Sequence, residues 1–142
     1  MRPPEGRRVH GFTLLELLVV MVIIGLLAAY VGPRYFSQVG RSEVRSAQAQ
    51  IATLRTALDT YRLDTGSYPT TEQGLAALTT RPANSARWNG PYLQRAVPPD
   101  PWGKPYVYKS PGDHGVYDII SYGADGVAGG DGNNRDITSW ER

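Results

Sequence analysis

Gly11-Phe12-Thr13-Leu14-Leu15-Glu16 opens the stretch on which the reading turns, and it continues without a break as FTLLELLVVMVIIGLLAAYV from Phe12 to Val31. Apart from Thr13, Glu16 and Gly25 these positions are apolar. At a rise of about 1.5 Å per residue, roughly 20 such residues in a helix match the thickness of the hydrocarbon layer. Residues 12–31 therefore read as a transmembrane helix. Arg2, Arg7 and Arg8 lie just before it, and the positive-inside rule places residues 1–11 in the cytoplasm and everything after Tyr30 on the far side. An ordinary secretory signal peptide, cut near Ala28 and Ala29, is the competing reading. The length of the apolar run and the carboxylate of Glu16 inside it argue against that.

Outside this stretch, composition sets limits. A chain of 142 residues suits one domain with a modest core. The formal net charge of +2 comes entirely from Arg2, Arg7, Arg8 and Glu5, so the remaining 12 basic and 12 acidic residues balance. The basicity belongs to a leader, and nucleic acid is not an expected partner. With no cysteine, disulfides, thiolate metal sites and cysteine nucleophiles are all excluded. An exported domain this small commonly needs another staple.

Glu16 needs a partner, because a carboxylate near hydrocarbon costs about 2.5 to 3.5 kcal/mol at mid-membrane and less near an end. If the chain is cut between Gly11 and Phe12, a new α-amino group appears on Phe12, four residues before Glu16. In a staggered stack of helices the carboxylate of one subunit then meets the amine of the next, and each charge is neutralised only on assembly. The alternative is that Glu16 simply snorkels to the interface.

After the span, Gly32-Pro33 is expected to break or loosen the helix, since proline lacks the amide donor and crowds the preceding turn. A simple kink at the membrane exit is the other reading. Val44, Ala47, Ile51, Leu54, Leu58 and Tyr61 then recur at three- and four-residue spacing, which predicts an amphipathic helix over 32–64. Asp64-Thr65-Gly66 supplies its stop. Residues 65–142 read as the globular part. A short helix is expected over 71–79, with Thr71 as its cap. Tyr106-Val107-Tyr108 and the run from Tyr117 to Tyr122 read as strands around a Ser110-Pro111-Gly112-Asp113 turn. The expected class is α+β, one long helix laid on a small antiparallel sheet.

Gly11 to Glu16 resembles the processing motif of type IV pilins and pseudopilins. That resemblance implies cleavage after Gly11 by a prepilin peptidase, methylation of Phe12 and an assembly role for Glu16. Tyr68-Pro69-Thr70-Thr71-Glu72-Gln73-Gly74-Leu75, Pro98-Pro99-Asp100-Pro101-Trp102-Gly103-Lys104-Pro105-Tyr106, and Tyr117-Asp118-Ile119 through Asp125-Gly126 resemble the major pseudopilin family of type II secretion systems. The resemblance implies a pilin-like fold and a homopolymer, in a periplasmic pseudopilus that helps export folded proteins through the outer membrane. It further implies minor pseudopilins, an inner-membrane assembly platform and, before assembly, membrane lipid as partners. A type IV pilin for adhesion or motility is the alternative.

Residues 122–136 gather Asp125, Asp131, Asp136, Asn133 and Asn134 on glycine-rich backbone. Calcium takes 6 to 8 oxygen ligands, backbone carbonyls included, but the spacing is not that of an EF-hand. Read alone, the segment is either such a site or a turn with solvated acids. The family resemblance implies a structural calcium held by Asp125, Asp131 and Asp136, with the Tyr122 carbonyl and Asn133 completing the shell. No constellation for catalysis is found: His10 lies in the leader and His114 stands alone in a turn.

Overall fold

The computed structural model describes residues 11–141, with the side chains of residues 36–38 outside that description, so the expected leader lies outside it except for Gly11. One helix, α1 (Leu14–Thr65), carries the first half of the chain. It starts where the apolar run starts and stops where expected: Gly66 takes a φ of 90° and its N–H closes on the Arg62 carbonyl at 2.7 Å, the left-handed stop that glycine adopts without steric penalty. The break expected at Gly32-Pro33 is not formed, since Pro33 lies inside the helix. Proline costs about 3 kcal/mol in a helix interior, and long helical segments on both sides hold the backbone through that weak point. The chain divides after Gln38 into two units.

In the first unit, every described position from Phe12 to Val31 is exposed. The helix is long and apolar enough to cross a membrane. At its far end the Arg34 guanidinium lies 4.8 Å from the centre of the Tyr30 ring, the pairing of aromatic and cation that suits a membrane interface.

In the second unit, Ala47, Ile51, Leu54, Leu58 and Tyr61 form the buried stripe of α1, with Val44 partly buried at its edge. They pack with Leu75, Ala77 and Leu78, with Tyr106, Tyr108 and Tyr117, and with Ile119 and Ile137. The sheet is antiparallel, in the order β1 (Val107–Lys109), β2 (Asp118–Ser121), β3 (Ile137–Thr138). Tyr108 faces Ile119 and Ser121 faces Ile137. The third strand has only two residues and was not anticipated.

The helix expected over 71–79 contracts to a single 3₁₀ turn, Leu75–Leu78. Thr71 does not cap it: its hydroxyl exchanges hydrogen bonds with the backbone of Ser110 instead. The reciprocal capping pair falls one residue earlier, between Thr70 and Gln73. Leu75 and Leu78 still point inward.

Aromatic side chains carry polar tips back to the helix. Trp102 donates to Glu43 at 3.0 Å, Tyr106 to Gln50 at 2.5 Å, Tyr68 to Asp59 at 2.9 Å and Tyr92 to Asp64 at 2.9 Å. Each ring fills the core with its body and satisfies its donor on α1. Burial pushes the Tyr108 phenol up to about 12 and raises Tyr106 as well, with the Asp100 charge adding to it. Both phenols remain protonated donors throughout the physiological range.

Candidate functional site

The N-terminal tip of α1 is built by two residues. The Thr13 N–H donates to Glu16 Oε2 at 2.8 Å and the Glu16 N–H donates to Thr13 Oγ1 at 3.2 Å. This is a capping box: it satisfies two of the orphan amides at a helix start and places a negative charge at the positive end of the dipole. The T-x-x-E spacing is visible in the sequence, and this capping role of Glu16 is additional to the expected pairing with a neighbouring subunit and to snorkelling. Glu16 makes no ion pair with any described residue. Phe12 is 86% exposed, and Gly11 has open space around it.

Within the second unit, residues 122–136 fold back on themselves. The Ala124 N–H donates to the Asn133 carbonyl at 2.8 Å, closing the loop. Asp125 accepts from the Val127 N–H at 3.1 Å, and both oxygens of Asp136 accept from the Gly129 N–H at 3.0 Å. The Tyr122 carbonyl accepts from the Gly126 N–H at 3.1 Å. Gly123 sits at φ 63°, where a Cβ would lie 2.7 Å from the carbonyl oxygens of Asn133 and Arg135. Two carbonyls thus converge on a point that only glycine leaves open.

Asp125, Asp131 and Asp136 all belong to this closed segment, but among the described residues no three acidic or imidazole groups are drawn close enough to hold a metal. The Asn133 side chain is placed elsewhere, against the helix at Gly40, where a Cβ would overlap its amide.

Sequence reasoning missed the cation already seated on the loop. Lys104 Nζ donates to the Ala124 carbonyl at 2.6 Å and lies 3.4 Å from that of Gly123. Its position is set by Asp100, 3% exposed, whose Oδ1 accepts from the backbone amides of Trp102 at 3.1 Å and Lys104 at 2.8 Å. The other oxygen takes the Ser121 hydroxyl at 2.6 Å. The Asp-Pro-Trp-Gly-Lys phrase is therefore a turn folded around a buried carboxylate, and the turn delivers a lysine to the loop carbonyls. His114 lies in the β1–β2 turn as expected, stacked on Trp140 at 3.9 Å with Nδ1 3.1 Å from Asp118.

An exposed apolar helix with a carboxylate at its tip, continuing as the spine of a small α+β unit, defines the class of membrane-anchored filament subunits. Comparison with known proteins narrows the class. The family model described as type II secretion system protein G matches residues 34–140, and that of the prokaryotic N-terminal methylation motif matches residues 6–32. The chain is 47% identical over 137 residues to type II secretion system core protein G of Vibrio cholerae, covering 94% of this chain and 93% of that protein. It is 44% identical over 140 residues to the Pseudomonas aeruginosa protein of the same description, covering 96% and 99%. Its fold is similar to the crystal structure of the major pseudopilin from the type 2 secretion system of enterohaemorrhagic Escherichia coli. The TM-score is 0.62 at 36% identity, covering 74% of this chain and 92% of that one.

The chain belongs to the type II secretion system protein G family. Its function is that of a major pseudopilin, a structural subunit of the secretion pseudopilus, and the pilus reading falls away. The methylation motif implies processing by a prepilin peptidase.

Proposed function

We propose that the subunit is held in the inner membrane by one helix with its C-terminal unit in the periplasm, and that it polymerises with itself into a periplasmic filament promoting export of folded proteins across the outer membrane. The observation that carries this is Glu16, a carboxylate on the first turn of a fully exposed apolar helix with no cation against it among the described residues. Before assembly, in lipid, the Thr13 amide and the helix dipole are its support. Cleavage between Gly11 and Phe12 creates an amine, and the Phe12 amine of one copy meets Glu16 of the next. Mass spectrometry of the mature chain should find residues 1–11 absent and one methyl added to Phe12. Glu16→Ala should abolish filaments while leaving the second unit folded. Filaments of normal yield from that variant would refute the pairing.

The loop is read as a calcium site on the chemistry of its donors. Every group it offers is oxygen, and carbonyls already converge at Gly123 and on Lys104. Asp125, Asp131, Asp136 and the Tyr122 carbonyl would hold the ion, which would supply the cross-link that cysteines do not. Asn133 is committed to the helix contact at Gly40. Bound at 100 times its Kd, a ligand stabilises a fold by about 2.7 kcal/mol, so excess EGTA should lower the melting temperature and added calcium restore it. An unchanged temperature would remove the site. Minor pseudopilins and the inner-membrane assembly platform are the remaining partners of this reading. It assigns no catalysis, as His114 is engaged with Trp140 and Asp118.

A further inference from the structure

Where the loop lies against α1, the second unit carries a cleft of about 330 Å³ whose walls include Arg41, Val44, Arg45, Gln48, Asn133 and Arg135. Two of the three arginines are four residues apart on the helix, and the third is brought from the loop. Gly40 makes the approach possible, because the Asn133 amide occupies the space a side chain there would fill. Arg41, Arg45 and Arg135 are exposed, and none makes an ion pair or hydrogen bond with a described residue. Like charges at four-residue spacing are unfavourable on a lone helix, and a third adds to the repulsion. The arrangement becomes favourable when a carboxylate enters, since planar guanidinium groups bind carboxylates in paired hydrogen bonds.

We infer that this cleft docks an acidic side chain of a second copy of the chain. Charge complementarity supports that occupant: beyond Gly11 the chain has equal numbers of acids and bases, and in the second unit the ion pairs between described residues are Lys109–Asp113 and, with its imidazole protonated, His114–Asp118. Asp59, Glu72 and Glu141 are exposed carboxylates with no cation against them. In a homopolymer, the unpaired charges of one copy face those of another.

The inference rests on the filament reading and is tested on the full mature chain in detergent, with calcium present in every filament assay. The triple variant Arg41→Glu, Arg45→Glu, Arg135→Glu should keep the wild-type melting temperature and its response to EGTA while losing sedimentable filament. Restored filament on adding Asp59→Arg, Glu72→Arg or Glu141→Arg would name the pairing acid. A photo-reactive benzoylphenylalanine at position 48, introduced in membranes, should form adducts to a second copy. Wild-type filament from the triple variant would overturn the inference, as would adducts only to lipid or to a different protein. If the filament reading itself failed, the wild-type chain would not sediment, which distinguishes the two failures.

Discussion

Replacing Asp100 should weaken the second unit in a manner that depends on what stands in its place. Asp100→Ala leaves the Ser121 hydroxyl, in a residue only 1% exposed, without its acceptor. An orphaned buried donor costs about 1 to 3 kcal/mol. The Trp102 and Lys104 amides lose a charged acceptor too, but water can reach the turn and recover part of that. The expected sum is about 3 kcal/mol. With an unfolding entropy of about 2.1 cal/mol/K per residue, a unit of about 100 residues then melts about 14 °C lower. Asp100→Asn should behave differently, because both turn amides converge on Oδ1, which an asparagine oxygen reproduces, while its NH₂ faces a Ser121 hydroxyl that can rotate to accept. That variant should lose about 1 kcal/mol. Thermal unfolding of the detergent-solubilised chain, followed by circular dichroism, measures both. Equal losses for Ala and Asn, or a fall of less than about 3 °C for Ala, would show that the carboxylate does not organise the turn.

Thr13→Ala removes the cap of α1, worth about 1 kcal/mol. Amide exchange over the first helical turn should quicken about five-fold, Thr13→Ser should restore it, and the melting temperature of the second unit should not move. Asp118 gives an acid-side prediction. Burial opposes its ionisation, but hydrogen bonds from the His114 ring and from the Asp113 and His114 amides outweigh it and hold the carboxyl below its ordinary value. Its stabilisation is therefore complete above the ordinary carboxylate range and fades as pH falls through the folded value. Asp118→Asn should flatten that acid limb in a plot of melting temperature against pH, and an unchanged limb would contradict the assignment. Gly40→Ala gains about 1 kcal/mol of helix propensity but drives its Cβ into the Asn133 amide. Gly40→Ala with Asn133→Ala should be more stable than the two single effects predict, by at least about 0.5 kcal/mol. Strict additivity would mean that the two residues do not touch.

What could be read in advance was local and periodic. The apolar run, the stripe from Val44 to Tyr61 and the stop at Gly66 each announce themselves within a few turns of helix, and Tyr117 to Tyr122 does so in one strand. The misses are long-range or too short for a period. Ile137–Thr138 becomes a strand only because Ile120 and Ser121 are there to pair with it. The 71–79 helix shrinks because Gly74, at φ 59°, enters it in a non-helical conformation and Thr71 is occupied by Ser110, 39 residues away. Lys104 reaches loop carbonyls 19 and 20 residues on through a turn folded on Asp100. No spacing in the sequence brings Arg135 to Arg41, because that depends on a space at Gly40 and a side chain at Asn133.

The loop from Tyr122 to Asp136 is held by different kinds of contact at different points, and this bears on what a metal in it would do. Its ends leave β2 and enter β3, where Ser121 faces Ile137. Its start is gripped by Lys104 and so by the Asp100 turn, and its far side rests through Asn133 on Gly40. A cation ordering Asp125, Asp131 and Asp136 would stiffen a segment already tied to the core through a buried carboxylate, so its binding energy would appear as stability of the whole unit. The same segment, Gly132 to Arg135, forms one wall of the arginine cleft. Removing the metal would then disorder Arg135 relative to Arg41 and Arg45 without touching Glu16. Stability and lateral docking would fall together on chelation, while the carboxylate at the helix tip, set by Thr13 alone, would stay as it was.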